Sequence, residues 1–168
     1  MHTALRVIKM TEEELFKKAA TFLQENYGVS LHIPIKRNNR LRSTLGRFVL
    51  SSNNQPLRIE LAGNTLDYGT EDAIIGILKH ECIHYVFHMK GESGSDGHPS
   101  FEAELKKHDA PSTKTSKIGK YYIFTCNACG KKSETRLKRL KRFPHKYRTG
   151  CCSSKLTVIG ERIYDGME

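Results

Sequence analysis

Three histidines stand four residues apart in the segment "GILKHECIHYVFH": His80, His84 and His88, with Glu81 beside the first. On a helix, residues four apart share a face one turn apart, so His80 and His84 can offer two imidazole nitrogens to one metal ion. Zinc suits such a pair, and the neighbouring glutamate is placed to take a proton from an activated water. The bland alternative is a histidine-rich helix with no ligand. Against it stands the apolar character of the segment (Ile74, Ile75, Ile77, Leu78, Ile83, Val86, Phe87). A helix of that kind buries most of its surface, and burying His80, Glu81 and His84 there without a partner is costly. His88 does not join the pair. Eight helical residues rise about 12 Å, while zinc holds its nitrogens about 2.0–2.1 Å away.

The missing donor must come from elsewhere. His98, beyond the loop "GESGSDGH", can fold back onto the pair. Glu102 or Glu104 on the next helical segment would instead give two histidines and a carboxylate, and His108 lies farther off. Spacing leaves these choices open. The HECIH helix also resembles that of peptide deformylases, but their third ligand is a cysteine upstream of the helix. Cys82 is the first cysteine of this chain, so that resemblance fails. Cys82 reads as a small buried core residue.

A second group of possible ligands lies near the C-terminus: Cys126 and Cys129 in "CNAC", then Cys151 and Cys152. The arrangement resembles a zinc ribbon, in which two knuckles grip one structural ion. It departs from paired C-x-x-C knuckles, because Thr149 stands where the first cysteine of the second knuckle belongs. Neighbouring side chains tend to point apart. Cys126, Cys129 and Cys152 are therefore the expected ligands, with Cys151 or His145 as the fourth; a three-ligand or metal-free module is the competing expectation. Five cysteines, four of them clustered, fit metal ligation in a reducing compartment better than a disulfide framework.

The net charge of +10 is lodged entirely in this end of the chain. Residues 111–168 hold 14 of the 28 Lys+Arg but 4 of the 18 Asp+Glu, so residues 1–110 balance to zero. A neutral body with a basic appendage points to a polyanionic partner. Lys138, Arg139, Lys141, Arg142, Lys146 and Arg148 lie near Phe143 and Tyr147. Cations can bind phosphates and exposed aromatics can stack on unpaired bases. A solvated basic hairpin is the plainer alternative.

The elements that must position these residues are legible. Thr11 and Glu14 form a capping box ahead of a helix that Gly28 ends. Three alternating runs, "SLHIPIK", "TLGRFVLS" and "PLRIELA", read as strands of an antiparallel meander. The metal-binding helix spans roughly Glu71 to Lys90, with Thr70 as cap and Gly91 as stop. "HPSFEAELKKH" begins a further helix, and "DAPSTKTSKIGK" is a polar linker. Two short β-like runs then carry the cysteine turns. The chain has no apolar run of about 18 residues and its N-terminus has no signal-like core, so the expectation is a cytoplasmic protein that does not span a membrane.

Taken in order, "IPIKRNNRLRSTLGRF", "ILKHECIHYVFH", "GHPSF" and the cysteine module resemble the SprT-like family, which includes the Spartan proteases that act on DNA–protein crosslinks. The resemblance implies an α+β fold: a zincin-like metallopeptidase core of helices plus a small antiparallel sheet, followed by a small β zinc-ribbon module. It implies His80, His84 and His98 as ligands of a catalytic zinc and Glu81 as the catalytic residue. The expected organisation is a peptidase domain at 1–110, a linker at 111–119 and a basic ribbon module at 120–168. The expected substrate is a protein or peptide, with nucleic acid as a partner. The alternative function is a non-enzymatic, zinc-containing nucleic-acid-binding or regulatory protein.

Overall fold

The computed structural model describes residues 9–112 and 115–167. Of the expected linker, residues 113–114 lie outside the described residues, as do residues 1–8 of the expected peptidase domain. The chain is mixed α+β, with two three-stranded sheets.

Helix α1 (Glu12–Tyr27) starts where the Thr11 hydroxyl accepts from the Glu14 N–H and the Glu14 carboxylate accepts in turn from the Thr11 N–H. Leu15, Ala19 and Leu23 turn one face into the core. The first sheet joins β1 (Ile35–Asn38), β2 (Gly46–Leu50) and β3 (Pro56–Ala62) in the order β1-β3-β2. Here the expected antiparallel meander is corrected. β2 runs antiparallel to β3, but β1 lies on its other side and runs parallel, with Ile35 opposite Ile59 and Arg37 opposite Leu61. The cause is burial: Ile59 and Leu61 are fully buried on β3, so the most apolar strand takes the centre and the other two flank it.

A short helix α2 (Gly63–Tyr68), which the alternation of residues did not signal, leads into α3 (Glu71–Lys90). Thr70 caps α3 by accepting from the Ala73 N–H, and Gly91 ends it. Ile74, Leu78, Cys82, Tyr85 and Val86 of α3 join the main core with α1 and the first sheet, while Ile83 and Phe87 pack on Phe101 and Leu105 of α4 (Pro99–Lys107). α3 is thus wedged between two apolar clusters, which fixes its rotation and so the direction of its histidines.

The second sheet has the order β5-β4-β6, from β4 (Ile118–Cys126), β5 (Lys132–Thr135) and β6 (Leu156–Asp165), all antiparallel. Helix α5 (Lys138–Arg142) lies between β5 and β6 and buries Leu140. This sheet is fastened to the rest of the chain. Ile118 belongs to the main core, Thr70 N–H donates to Asp165 O at 3.1 Å, and Arg136 donates to Ser43 O at 2.6 Å. No helix among the described residues is long and apolar enough to cross a membrane.

Candidate metal centres

His80 and His84 lie on one face of α3, with their Nε2 atoms 3.1 Å apart. Each ring is held from behind by a carbonyl: His80 Nδ1 lies 2.7 Å from Pro111 O, and His84 Nδ1 2.7 Å from Gly94 O. A carbonyl only accepts, so both Nδ1 atoms carry the proton and a neutral ring presents an Nε2 lone pair. Asp96 Oδ1 stands 3.3 Å from each of these nitrogens. Three acceptors therefore converge. Burial, with the neighbouring His80 acting in the same direction, holds His84 below its ordinary pKa, while Asp96 opposes. The ring is thus kept in its ligand form.

The spacing fits a metal. Ligands about 2.0–2.1 Å from a tetrahedral zinc lie about 3.3–3.4 Å from one another, and the three separations here are 3.1, 3.3 and 3.3 Å. Phe101 backs the pair, stacked on His84 with 4.3 Å between ring centroids and edge-on to His80 at 5.5 Å. Gly94 must be glycine for its carbonyl to reach His84, because a Cβ there would come within 2.9 Å of Phe87 Cβ.

Glu81 is buried on the same turn. Burial pushes its carboxyl up to about 8, the Asp96 charge adds to this, and a hydrogen bond from the Phe48 backbone N–H opposes it. β2 can lie so close only because residue 46 is glycine: a Cβ would sit 3.0 Å from both Glu81 Oε1 and Ile77 Cγ2. The helix that carries His80 and His84 is thus laid against an edge strand.

The other residues named from sequence lie apart from this cluster. His98 is the N-cap residue of α4, exposed, with its Nδ1 2.8 Å from Ser100 Oγ, and is not among the donors that converge within 4.8 Å. Glu102 accepts from the Gly97 N–H. Glu104 is held by Tyr27, Lys107 and His108. His88 packs edge-on against Phe48. Asp96 escaped sequence reasoning, and its signal was the Asp-Gly turn hidden in a loop read only as polar.

At the other end, the sulfurs of Cys126, Cys129, Cys151 and Cys152 all lie within 4.8 Å of one another, and the four could hold a metal ion. All are free thiols. The Cys129 and Cys151 sulfurs are 3.6 Å apart, near the edge of about 3.8 Å for a tetrahedral site with zinc–sulfur bonds of about 2.3 Å. Both adjacent cysteines belong to the cluster, so of the two expected candidates for the fourth place the structure brings Cys151 to the other three. The chain curls between Thr149 and Ser154, whose backbones bond at 2.9 Å, with Ser153 in the left-handed region at φ 49. His145 sits in an exposed 3-10 turn against Phe143, so Cys151 completes the cluster. Thr149 has its own place: its buried hydroxyl lies 3.3 Å from Cys126 Sγ and, with the backbone N–H of Cys129, lowers that thiol to about 6.

Lys138, Arg139, Lys141, Arg142, Lys146 and Arg148 are all exposed. They are not equivalent. Lys141 pairs with Glu161. Arg148 donates to the carbonyls of His145 and Tyr147. Arg142 and Lys146 lie over the Phe143 ring, 5.2 and 5.0 Å from its centroid.

Comparison with known proteins agrees with the order of motifs. Residues 12–118 match the SprT-like family. A protein named "Protein SprT-like" from Bacillus velezensis is 31% identical over 157 residues, covering 89% of this chain and 99% of the relative. Those of the same name from Bacillus subtilis and Bacillus cereus are 34% and 35% identical, over 73% and 74% of this chain and 80% of each relative. The chain belongs to the SprT-like family. No solved structure matches.

Proposed function

We propose that this protein is a zinc-dependent metallopeptidase that hydrolyses peptide bonds of protein substrates, with His80 and His84 holding the ion together with a third donor from the loop after α3. The observation that carries this is the joining, on one buried helix, of two imidazoles in ligand form with a carboxyl laid against an edge strand. Zinc, when bound, supplies the positive charge that makes water a nucleophile near neutral pH. The same charge favours the ionised form of Glu81 and offsets its burial. Glu81 then accepts the water proton and delivers it to the leaving amine. The Phe48 N–H, bonded to Glu81, fixes the direction of the carboxylate. β2, unpaired with any strand on its far side among the described residues, offers main-chain groups to an extended substrate.

The cysteine cluster holds a second, structural zinc in this reading. The basic segment beside it binds nucleic acid, through Lys138, Arg139, Arg142, Lys146 and the Phe143 face. Substrates are thus proteins brought near by a shared nucleic acid.

The test is cleavage of a DNA-binding protein substrate, with and without DNA, by wild type and by Glu81→Gln of equal zinc content. Wild type should cleave and the variant should be slower by about 100-fold or more. Equal rates would end the peptidase reading. Salt-sensitive DNA binding without cleavage by either protein would favour the non-enzymatic alternative.

A further inference from the structure

Positive charge without a carboxylate partner also lies on the body of the chain. Residues 26–59 hold six lysines and arginines and no acidic residue. Four of the six find carboxylates elsewhere: Lys36 on Glu12, Arg37 on Asp67, and Arg47 and Arg58 on Glu60. Arg40 and Arg42 are exposed and form no ion pair among the described residues. We propose that these two arginines, on the loop between β1 and β2, join Lys138 and Arg139 in one phosphate-binding surface, so that a nucleic acid is gripped across the joint between the two sheets. The proposal rests on the reading that the basic module binds nucleic acid, and extends that interface onto the body.

Arg136 makes the surface continuous. It stands between β5 and α5 and donates to Ser43 O at 2.6 Å, with its guanidinium 5.7 Å from the centre of the Tyr121 ring. Ser43 directly follows Arg42, and Lys138 comes two residues after Arg136. At about 3.8 Å per residue, none of the four cations has its Cα more than about 12 Å from its own end of that contact. The loop is also pinned. The Asn38 side chain accepts from the Arg40 N–H at 2.9 Å, a turn that asparagine makes with the backbone two residues on, and Leu45 O accepts from the Ala62 N–H and the Thr65 hydroxyl. Little backbone then has to be ordered when phosphates bind.

Cations placed on either side of one joint suit a ligand whose charge recurs along its length, as the phosphates of a nucleic acid do, better than a small anion. The position has a consequence for substrate. The loop leads into β2, whose Gly46 lies three residues beyond Ser43 and against Glu81. A nucleic acid held there passes the start of the strand proposed to receive substrate, and a protein bound to it arrives beside that edge.

The experiment is fluorescence-anisotropy titration of the full chain against a labelled DNA duplex of about 20 base pairs, and against its single strand, at salt from about 50 to 200 mM. The variants are R40Q/R42Q, K138Q/R139Q and, as a control, K17Q/K18Q, whose cations sit on α1 and pair with Glu13 and Glu71. Thermal melts verify that each folds. R40Q/R42Q should lower the slope of log affinity against log salt by about 1.8 on the duplex or about 1.4 on the single strand, and weaken binding about tenfold or more near 0.1 M salt. K138Q/R139Q should do the same, and the control should match wild type. The proposal is overturned if R40Q/R42Q binds as wild type does while K138Q/R139Q is weakened, since the module then binds alone. It is overturned as well if the control loses as much as R40Q/R42Q, which would mark a diffuse effect of net charge. If wild type binds neither form of DNA, the nucleic-acid reading falls with the proposal.

Discussion

The two candidate metal centres are built in opposite ways. His80 and His84 project from a twenty-residue helix buried between two apolar clusters, and their rings are aligned by carbonyls from two separate loops. The cysteine sulfurs hang on two turns, and only Cys126 among them is buried. The first site is pre-organised by the protein for any ion it would receive. In the second, with little apolar support, a bound ion would do much of the organising. A catalytic centre needs rigid geometry before substrate arrives, while a structural site can be made by the metal it binds.

Metal removal should expose that difference most strongly. Exhaustive chelation should strip hydrogen-exchange protection from the knuckles around residues 126–130 and 149–154, yet leave α3 protected. For isolated zinc-finger peptides the loss is on the order of 10 kcal/mol, an upper bound here because the long β4–β6 ladder persists. Equal loss in both regions would erase the distinction. Phe101→Ala attacks the first centre through its packing. Deleting a fully buried ring stacked on His84 should cost about 3–5 kcal/mol in denaturant unfolding.

Glu60 supplies the body with an electrostatic anchor in a buried position. Burial alone would raise its pKa, but hydrogen bonds from Arg47, Asn38 and Arg58 overcome this and hold it at about 2, against an ordinary value of 4.5. Its contribution is therefore full above pH 4.5 and is lost as pH falls toward 2. Glu60→Gln should cost about 1–3 kcal/mol at pH 7 and shrink to nothing near pH 2, as urea titrations at several pH values will reveal. Gly94→Ala should weaken zinc at the HECIH site about tenfold while changing stability little, since it displaces the carbonyl behind His84. Smallest is the loss of one surface cation. Replacing Lys138 or Arg139 should lower the salt slope of nucleic-acid binding by about one, and an unchanged slope would remove that residue from the interface.

Sequence revealed most where structure is local. Thr11 with Glu14, Thr70, Gly28 and Gly91 set the ends of α1 and α3, because caps are satisfied within a few residues. The helical period likewise put His80, Glu81 and His84 on one buried turn. The parallel pairing of β1 with β3 was hidden, since register between strands some twenty residues apart is decided by shared burial. Asp96 was hidden for a related reason: its place beside His80 and His84 depends on a turn directing it at a helix that ended six residues earlier. For the cysteine cluster the sequence offered Cys151 or His145 as the fourth member, and the choice of Cys151 goes with a local curl at the left-handed Ser153 that residue type scarcely signals.

The central claim is that one chain carries two metal centres, one received and one organised by its ion. It is tested most directly by elemental zinc analysis of protein purified without added metal or chelator, on wild type, His84→Ala and Cys126→Ser. The account predicts about two zinc ions per wild-type chain and about one in each variant, with only Cys126→Ser losing structure in the C-terminal knuckles. A wild-type count near one that His84→Ala leaves unchanged would contradict it, leaving the HECIH helix without its metal.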